Sequence, residues 1–239
     1  MAETLEQMLR TASAETEMQT VDRAATLAEQ VYDRLRHGLL VGVWEPGQKI
    51  TARGVCKDLG VSLTPAREAM MRLGNEGALD VSATRTYSAA SLTLDEYREI
   101  SNIRLALEPM AVEAAAGLIA AETIDVLEEI NEDLALANRE ERFRDALRLD
   151  SEFHLTIYRA SAQPTLTAII DRLWLRAGPT RNRLSHAYRR TLAGYDNHKA
   201  VTDALRAGDA PRARAAISRD LREGTRRIIE QMEQMADKA

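Results

Sequence analysis

The sequence predicts a mainly α-helical protein in two parts: three helices with a two-stranded β-hairpin, followed by an all-α antiparallel helical bundle. Three observations support this prediction. Apolar residues recur at helical spacing over most of the chain. Strand-like residues are concentrated between residues 78 and 90. A glycine turn near residue 60 separates two short helical patterns, which is the arrangement of a helix-turn-helix.

Composition is that of a globular protein, with 45% hydrophobic and 29% charged residues. No apolar run approaches the roughly 18 residues that a membrane helix needs. The start Met1-Ala2-Glu3 lacks a basic segment and apolar core, so we expect no signal peptide and a cytoplasmic protein. Cys56 is the single cysteine, which excludes an intrachain disulfide and a thiolate metal cluster. The net charge of −5 argues against non-specific coating of nucleic acid but allows a local basic face.

The first 40 residues divide into an arm and a helix. Residues 1–20 carry four acids against one arginine and show no clear apolar period, which predicts a mobile arm. Apolar residues at four-residue steps then predict a first helix from about residue 21 to 40: Leu27, Val31, Leu35 and Leu39. His37 lies off that stripe and should face solvent. Residues 42–47 break the helix, and Ile50 begins either a short strand or the entry to the second helix.

The second and third helices form the helix-turn-helix. Residues 51–59 predict a short helix that Gly60 ends. The next helix restarts with Thr64 as a cap and Pro65 at its first position, where a missing N–H is harmless. One side of this helix is apolar and predicted to pack: Ala66, Ala69, Met70 and Leu73. The other side is predicted to face outward: Thr64, Arg67, Glu68, Met71 and Arg72. Taken alone, the pattern also fits an ordinary amphipathic surface helix.

A two-stranded wing is predicted after the third helix. Gly74 and Gly77 end the helical pattern, and residues 78–90 are β-leaning with a turn at 83–86. Arg85 lies at the tip of this hairpin, where an arginine can reach a narrow minor groove.

The order Leu39, Gly42, Pro46-Gly47, Ile50 and Gly-Val-Ser-x-Thr-Pro-x-Arg-Glu-Ala resembles the winged helix-turn-helix of GntR-type bacterial transcription regulators over about residues 25–90. The resemblance implies a DNA-binding domain at residues 21–90. It assigns DNA contacts to Arg53, Ser62, Thr64, Arg67, Arg72 and Arg85. Two positions depart from the family pattern, because Leu63 replaces an arginine and Thr86 replaces the wing-tip glycine. We therefore expect an altered operator sequence or affinity.

A second domain is predicted at residues 92–236, behind a linker at 88–91. The capping box Thr93-x-x-Glu96 opens a long helix to about Gly117. Helical patterns follow at 122–138, 141–160, 165–188, 196–207 and 210–236. An all-helical domain behind a GntR-type winged helix resembles the FCD domain of the FadR subfamily, which implies ligand sensing and dimerisation.

Four ionisable residues fall within apolar stripes of this second domain: Asp150, His154, His198 and Asp220. Burying them without partners is unfavourable, and a divalent metal (Zn, Ni, Mn or Fe) is the simplest shared partner. Taken singly, an inward histidine is more often hydrogen-bonded in a core, and an inward aspartate usually caps a helix or pairs with an arginine. The metal-binding FCD pattern is Asp-x-x-x-His followed by two histidines. Asp220 replaces the last of these, so it either ligates or pairs with an arginine and leaves the site empty.

Several arginines of the second domain have two interpretations. Arg104 and Glu108 are spaced for an intrahelical salt bridge. In the family, an arginine at this position can line the effector cavity, so the resemblance makes Arg104 a candidate carboxylate contact. A basic region at residues 176–190 is predicted to be a solvated face.

The function implied is a homodimeric transcription regulator that binds a palindromic operator in double-stranded DNA and acts as a repressor. A small organic or sugar acid, bound by the metal and Arg104, would control operator affinity. Two alternatives remain open: a metal-dependent helical-bundle enzyme, and a regulator that senses the metal itself. The enzyme is disfavoured because no further Glu or His stands at a motif spacing for a general base. We predict that the protein is not an enzyme and has no membrane partner.

Overall fold

The computed structural model describes residues 26–84 and 86–237. The predicted mobile arm at 1–20 and Arg85 at the wing tip lie outside these ranges. Among the helices described, none is both long and apolar enough to cross a membrane.

The N-terminal unit contains three helices and three short strands. In chain order they are α1 (Leu27–Leu40), β1 (Lys49–Ile50), α2 (Ala52–Leu59), α3 (Leu63–Asn75), β2 (Leu79–Val81) and β3 (Tyr87–Ala89). Helix α1 begins with a capping box, in which the Thr26 hydroxyl accepts from the Glu29 N–H and the Glu29 carboxylate accepts from the Thr26 N–H. Gly60 ends α2 in the left-handed conformation, with φ of 66°. His37 is exposed on α1, as predicted.

Helix α3 confirms the predicted faces but begins earlier than predicted. Its predicted packing residues are buried, and its predicted outward residues are exposed. The prediction that Thr64 caps the helix was wrong, because Ser62 is the N-cap and α3 starts at Leu63. Pro65 is therefore the third helical residue. It is still tolerated there, because N–H groups in the first turn have no intrahelical acceptor.

The wing has one more strand than predicted. Its sheet is antiparallel with strand order β1-β3-β2. Ile50 pairs with Tyr87, which in turn pairs with Val81 on the other side. The alternative that Ile50 lies in a short strand is thus confirmed, although the strand begins at Lys49 and ends at Ile50. Two residues are too few to show the alternation that identifies a strand in a sequence.

The C-terminal unit is an all-α bundle. It contains α4 (Leu94–Ala115), α5 (Ala121–Arg139), α6 (Phe143–Ala160), α7 (Pro164–Ala177), a 3₁₀ turn (Pro179–Arg183), α8 (His186–Arg190), α9 (Ala193–Arg206) and α10 (Ala210–Ala236). Helix α4 packs along α10, while α5 packs on α6 and α9. The capping box of Thr93 and Glu96 is present, as predicted.

One predicted helix of this bundle was wrong. Residues 165–188 were predicted as a single helix, but the chain forms α7, the 3₁₀ turn and the start of α8. The break occurs at Gly178-Pro179, where proline has no N–H to continue the helical ladder. The change of direction turns the side chains that follow toward the interior of the bundle.

The two units contact each other through α7 and the 3₁₀ turn. Arg176 of α7 donates from Nη1 to the Gly77 carbonyl (2.9 Å) and to Asp80 Oδ1 (2.6 Å), both at the base of the wing. Arg36 of α1 lies 3.1 Å from Asp171 of α7. Arg176 is therefore an interdomain residue and does not belong to a solvated basic face.

Candidate metal centre and effector cavity

Three helices bring the four predicted ligands to one point inside the bundle. Asp150 and His154 come from α6, His198 from α9 and Asp220 from α10. The two Nε2 atoms of His154 and His198 are 3.2 Å apart. Asp220 Oδ2 lies 3.3 Å from His154 Nε2 and 3.8 Å from His198 Nε2. Asp150 Oδ1 lies 3.9 and 3.7 Å from the same two nitrogens.

Asn131 sets the orientation of the His198 ring. Its Oδ1 lies 3.2 Å from His198 Nδ1, and its Nδ2 donates to the Tyr195 carbonyl at 3.0 Å. Because the amide oxygen can only accept, His198 carries its proton on Nδ1. Its Nε2 therefore presents a lone pair toward the other ligands.

Tyr158 sets the orientation of the His154 ring. Its hydroxyl donates to Glu108 and lies 3.0 Å from His154 Nδ1, so the phenolic oxygen accepts from the Nδ1–H. The Nε2 of His154 also points toward the other ligands. Two facing nitrogen lone pairs repel each other unless a proton or cation lies between them. This donor set, with two carboxylates beside it, fits a divalent metal held by imidazole nitrogen and carboxylate oxygen.

The ionisation of the two histidines differs. Burial lowers the pKa of His154, but the hydrogen bond to Asp220 and the charge of Asp150 outweigh burial and raise it above its ordinary value. Burial lowers the pKa of His198, and the neighbouring His154 lowers it further. The imidazole of His154 therefore holds a proton more strongly than that of His198 does. A bound metal would replace that proton.

Arg181 contacts the site in a way that the sequence did not predict. It donates from Nη2 to Asp150 Oδ2 and from Nη1 to Ser151 Oγ (2.8 Å). Burial raises the pKa of Asp150, but the charges of Arg181 and the two histidines outweigh it, and the pKa lies below its ordinary value. The expected pairing of an aspartate with an arginine therefore involves Asp150. Asp220 faces the histidines.

A cavity of about 110 Å³ adjoins three of the four candidate ligands, Asp150, His154 and Asp220. Arginine and tyrosine side chains form much of its wall: Tyr97, Arg104, Arg181, Tyr188, Arg189 and Tyr195. Arg104 bonds Glu108 through Nε at 2.6 Å, which confirms the predicted salt bridge, and both residues are buried. The guanidinium groups of Arg104 and Arg181 lie 4.8 and 4.5 Å from the ring centroid of Trp174.

Arg189 is a second buried arginine that was predicted to be solvated. Its Nε and Nη2 donate to the carbonyls of Leu184 and Arg181. Within the described ranges, no carboxylate pairs with it. Burial and the charge of Arg181 lower the pKa of Arg189 to about 10, so it remains protonated at neutral pH. The prediction of a solvated basic face was thus wrong for Arg176, Arg181 and Arg189.

The predicted DNA-contacting residues within the described ranges lie on or beside α2 and α3 of the N-terminal unit. Arg53 is exposed at the second position of α2. Ser62 precedes α3 and makes no capping hydrogen bond, and Thr64 and Arg67 are exposed on the outward face. Arg72 is partly engaged, because it bonds Glu76 at 3.1 Å and lies 3.8 Å from the ring centroid of Tyr32.

Sequence reasoning missed the residues that orient and flank the ligands. Asn131 is a polar residue inside the apolar stripe of α5, four residues after Leu127 and three before Leu134, so the stripe argument could have found it. Tyr158 follows His154 by one turn, which also places it at the site. Arg181 gave no such signal, because its position depends on the break at residues 178–179.

Comparison with known protein families gives two matches. Residues 27–85 match the model described as "Bacterial regulatory proteins, gntR family", and residues 99–223 match the FCD domain. The second match contains the four candidate ligands.

Individual relatives agree with these matches. The chain is 30% identical to the HTH-type transcriptional regulator McbR of Escherichia coli K12 over 195 residues, which is 81% of this chain and 88% of that protein. It is 32% identical to the uncharacterized HTH-type transcriptional regulator YdhC of Bacillus subtilis 168, over 56% of this chain and 60% of that protein. The solved structure of E. coli McbR/YncC superposes with a TM-score of 0.80 at 28% identity, covering 87% of this chain and 99% of that one. The chain belongs to the GntR family of bacterial regulatory proteins, with an FCD domain behind its winged helix-turn-helix, as in the FadR-like branch of that family.

Proposed function

We propose that the protein is a homodimeric transcription regulator of the cytoplasm whose affinity for a palindromic DNA operator depends on a metal and a small carboxylate bound in the FCD domain. The convergence of Asp150, His154, His198 and Asp220 beside an arginine-lined cavity carries this proposal. The McbR relative bears the name of a transcriptional regulator, which supports a regulatory rather than an enzymatic function.

The metal in this proposal is a divalent ion with two nitrogen and two oxygen ligands. Imidazole suits Zn, Ni and Fe, whereas carboxylate suits harder ions such as Mn. Asp220 stands where the metal-binding FCD pattern has a histidine, so it adds negative charge and shifts the preference toward harder ions. The residues that would hold the ion are Asp150, His154, His198 and Asp220.

The effector in this proposal is a small organic or sugar acid. Near the cavity, the carboxylates of Glu108, Asp150 and Asp220 are balanced by the guanidinium groups of Arg104, Arg181 and Arg189. A divalent cation would leave this balance positive, so an anion is the ligand that restores it. Arg104 is the proposed carboxylate contact, because a guanidinium can bind a carboxylate through two parallel hydrogen bonds.

DNA recognition in this proposal belongs to the exposed face of α3 and the start of α2. Arg67 and Thr64 would reach base edges, while Arg53 and Ser62 would contact phosphates or nearby base edges. Arg72 would support this surface, since Glu76 and Tyr32 already hold its guanidinium. Arg85 remains a proposed minor-groove contact. One recognition helix reads too few base pairs for genomic specificity, so a dimer that reads two half-sites is required.

Repression follows if the dimer occupies its operator in one effector state and leaves it in the other. The proposal is tested by selecting fragments of the source genome on the purified full-length protein, with and without a chelator. We expect enrichment of a few palindromic sites, with an affinity that the chelator changes. If no fragment were enriched in either condition, the regulator assignment would be overturned. A titration of metal with and without added carboxylates then separates effector sensing from sensing of the metal itself.

A further inference from the structure

Residues 174–182, here called the seam segment, contact both the cavity beside the candidate metal ligands and the N-terminal unit, here called the winged unit. The segment comprises the end of α7, Gly178 and the first part of the 3₁₀ turn. Trp174 and Arg181 face the cavity, whereas Arg176 and Asn182 bind the winged unit. Consecutive residues, Arg181 and Asn182, therefore connect a candidate metal ligand to the DNA-binding domain.

On the cavity side, Asp150 pairs with Arg181 and so helps to hold the segment in place. Its Oδ1 faces the two imidazoles, and its Oδ2 accepts from Arg181. A divalent cation bound by Oδ1 would share the charge of the same carboxylate and would repel the guanidinium. Either effect weakens the pair of Arg181 and Asp150, because that pair is charge-assisted.

On the other side, the segment holds the end of α1. Asn182 Nδ2 donates to the carbonyls of Gly42 (3.4 Å) and Trp44 (3.3 Å). Gly42 has φ of +70°, and a Cβ built there would overlap the side-chain amide of Asn182. A Cβ on Gly178 would lie 2.9 Å from the backbone carbonyl oxygen of Leu39. The contact of Gly178 with Leu39 joins backbone to backbone, so a shift of the seam segment toward α1 must displace the backbone of one of them.

We propose that the seam segment transmits the engagement of the Asp150 carboxylate, which is either paired with Arg181 or shared with a cation, to the winged unit, with Arg181 as the residue that responds. The part that concerns metal rests on the proposed function. While Arg181 is paired, the segment holds α1 and the base of the wing in the arrangement described above. Weakening the pair loosens these contacts and changes the placement of α3 relative to the bundle, which is a change that two operator half-sites would detect.

Hydrogen exchange on the full-length protein tests this inference. The amides of Val41 and Val43, which donate to the carbonyls of His37 and Gly38, report on the end of α1. With wild-type protein, saturating zinc should make their exchange severalfold faster. Asp150→Asn removes the charge but keeps the shape, so it should give fast exchange without zinc. Arg181→Met should give fast exchange that zinc does not change further. Arg183→Met is the matched control, since Arg183 is not part of the cavity wall, and it should behave as the wild type does.

Calorimetry of zinc binding on the same samples separates the two proposals. If the wild type bound neither zinc nor, in a parallel titration, manganese, the metal part of the proposed function would fail, but the two variants would still test the seam segment without metal. If the wild type bound zinc with no change at Val41 and Val43, the inference alone would be overturned. Slow, wild-type exchange in both Asp150→Asn and Arg181→Met would overturn it as well. Should either variant fail to fold, Asn182→Ala replaces it, and this variant must bind zinc while losing the zinc response.

Discussion

The cavity beside the candidate metal ligands and the outward face of α3 differ in how far their polar side chains are exposed to solvent. In the cavity, the ionisable groups are buried or partly buried, and Asp150, His154 and His198 each have a named partner. On α3, Thr64 and Arg67 are exposed to solvent. A buried charge must be compensated inside the protein, whereas an exposed one can remain available for a ligand that arrives from outside. The difference indicates that the polar groups of the cavity already have partners within the protein, while those on the outward face of α3 remain exposed to solvent.

The largest effect should come from removing a ligand. His198→Ala deletes one imidazole, and we expect zinc affinity to fall by more than about 100-fold, because even outer hydrogen-bond partners of a metal site are worth about 10–100-fold. Competition with a chromophoric chelator measures the loss. His37→Ala, on the exposed side of α1, is the control and should bind zinc normally. Equal affinities in the two variants would remove His198 from the site.

A substitution on α3 should weaken DNA binding without changing zinc affinity. Arg67→Ala should weaken operator binding by about 1–3 kcal/mol if the guanidinium reads a base edge. Zinc affinity and the melting temperature should not change, because Arg67 is exposed and remote from the bundle. Fluorescence anisotropy with a selected operator measures the effect. Arg34→Ala, which changes an exposed arginine of α1, is the control. Undiminished operator binding would contradict the role of Arg67.

A smaller loss of zinc affinity is expected when a residue that orients a candidate ligand is changed. Tyr158→Phe removes the hydroxyl that joins His154 to Glu108, so the ring loses the bond that sets its tautomer. Zinc affinity should fall by about 10-fold. Tyr32→Phe is a matched control, because that hydroxyl donates to Glu76 of the N-terminal unit at 2.6 Å and is not part of the cavity wall. If both variants bound zinc as the wild type does, Tyr158 would have no part in orienting His154.

The smallest effect is a change of metal preference. Asp220→His replaces a hard carboxylate with an imidazole, so the ratio of zinc to manganese affinity should rise severalfold. Competition between the two ions measures the ratio. Asp203→His on α9 should leave it unchanged, since Asp203 pairs with Lys199 away from the cavity. An unaltered ratio in Asp220→His would show that Asp220 does not ligate the ion.

The sequence was informative wherever a pattern was local. The two faces of α3 and the inward positions of Asp150, His154 and His198 follow from helical periodicity, because a polar residue inside an apolar stripe must point inward. Arg181 could not be placed this way. Its direction depends on a helix break at Gly178-Pro179 and on a partner about 30 positions earlier in the chain. Strand β1 was ambiguous for a related reason, since two residues carry no period and the strand exists only through its pairing with β3.

Gly42 places a limit on how the two halves of this protein can be recombined. Because the Asn182 amide occupies the space that a side chain at position 42 would fill, a foreign winged domain without glycine there would clash with Asn182 when grafted onto this FCD domain. A domain from a relative with a different residue at that position would need a smaller partner at position 182. When a winged domain and an FCD domain of different GntR-type proteins are joined, the residues at positions 42 and 182 should therefore be chosen together.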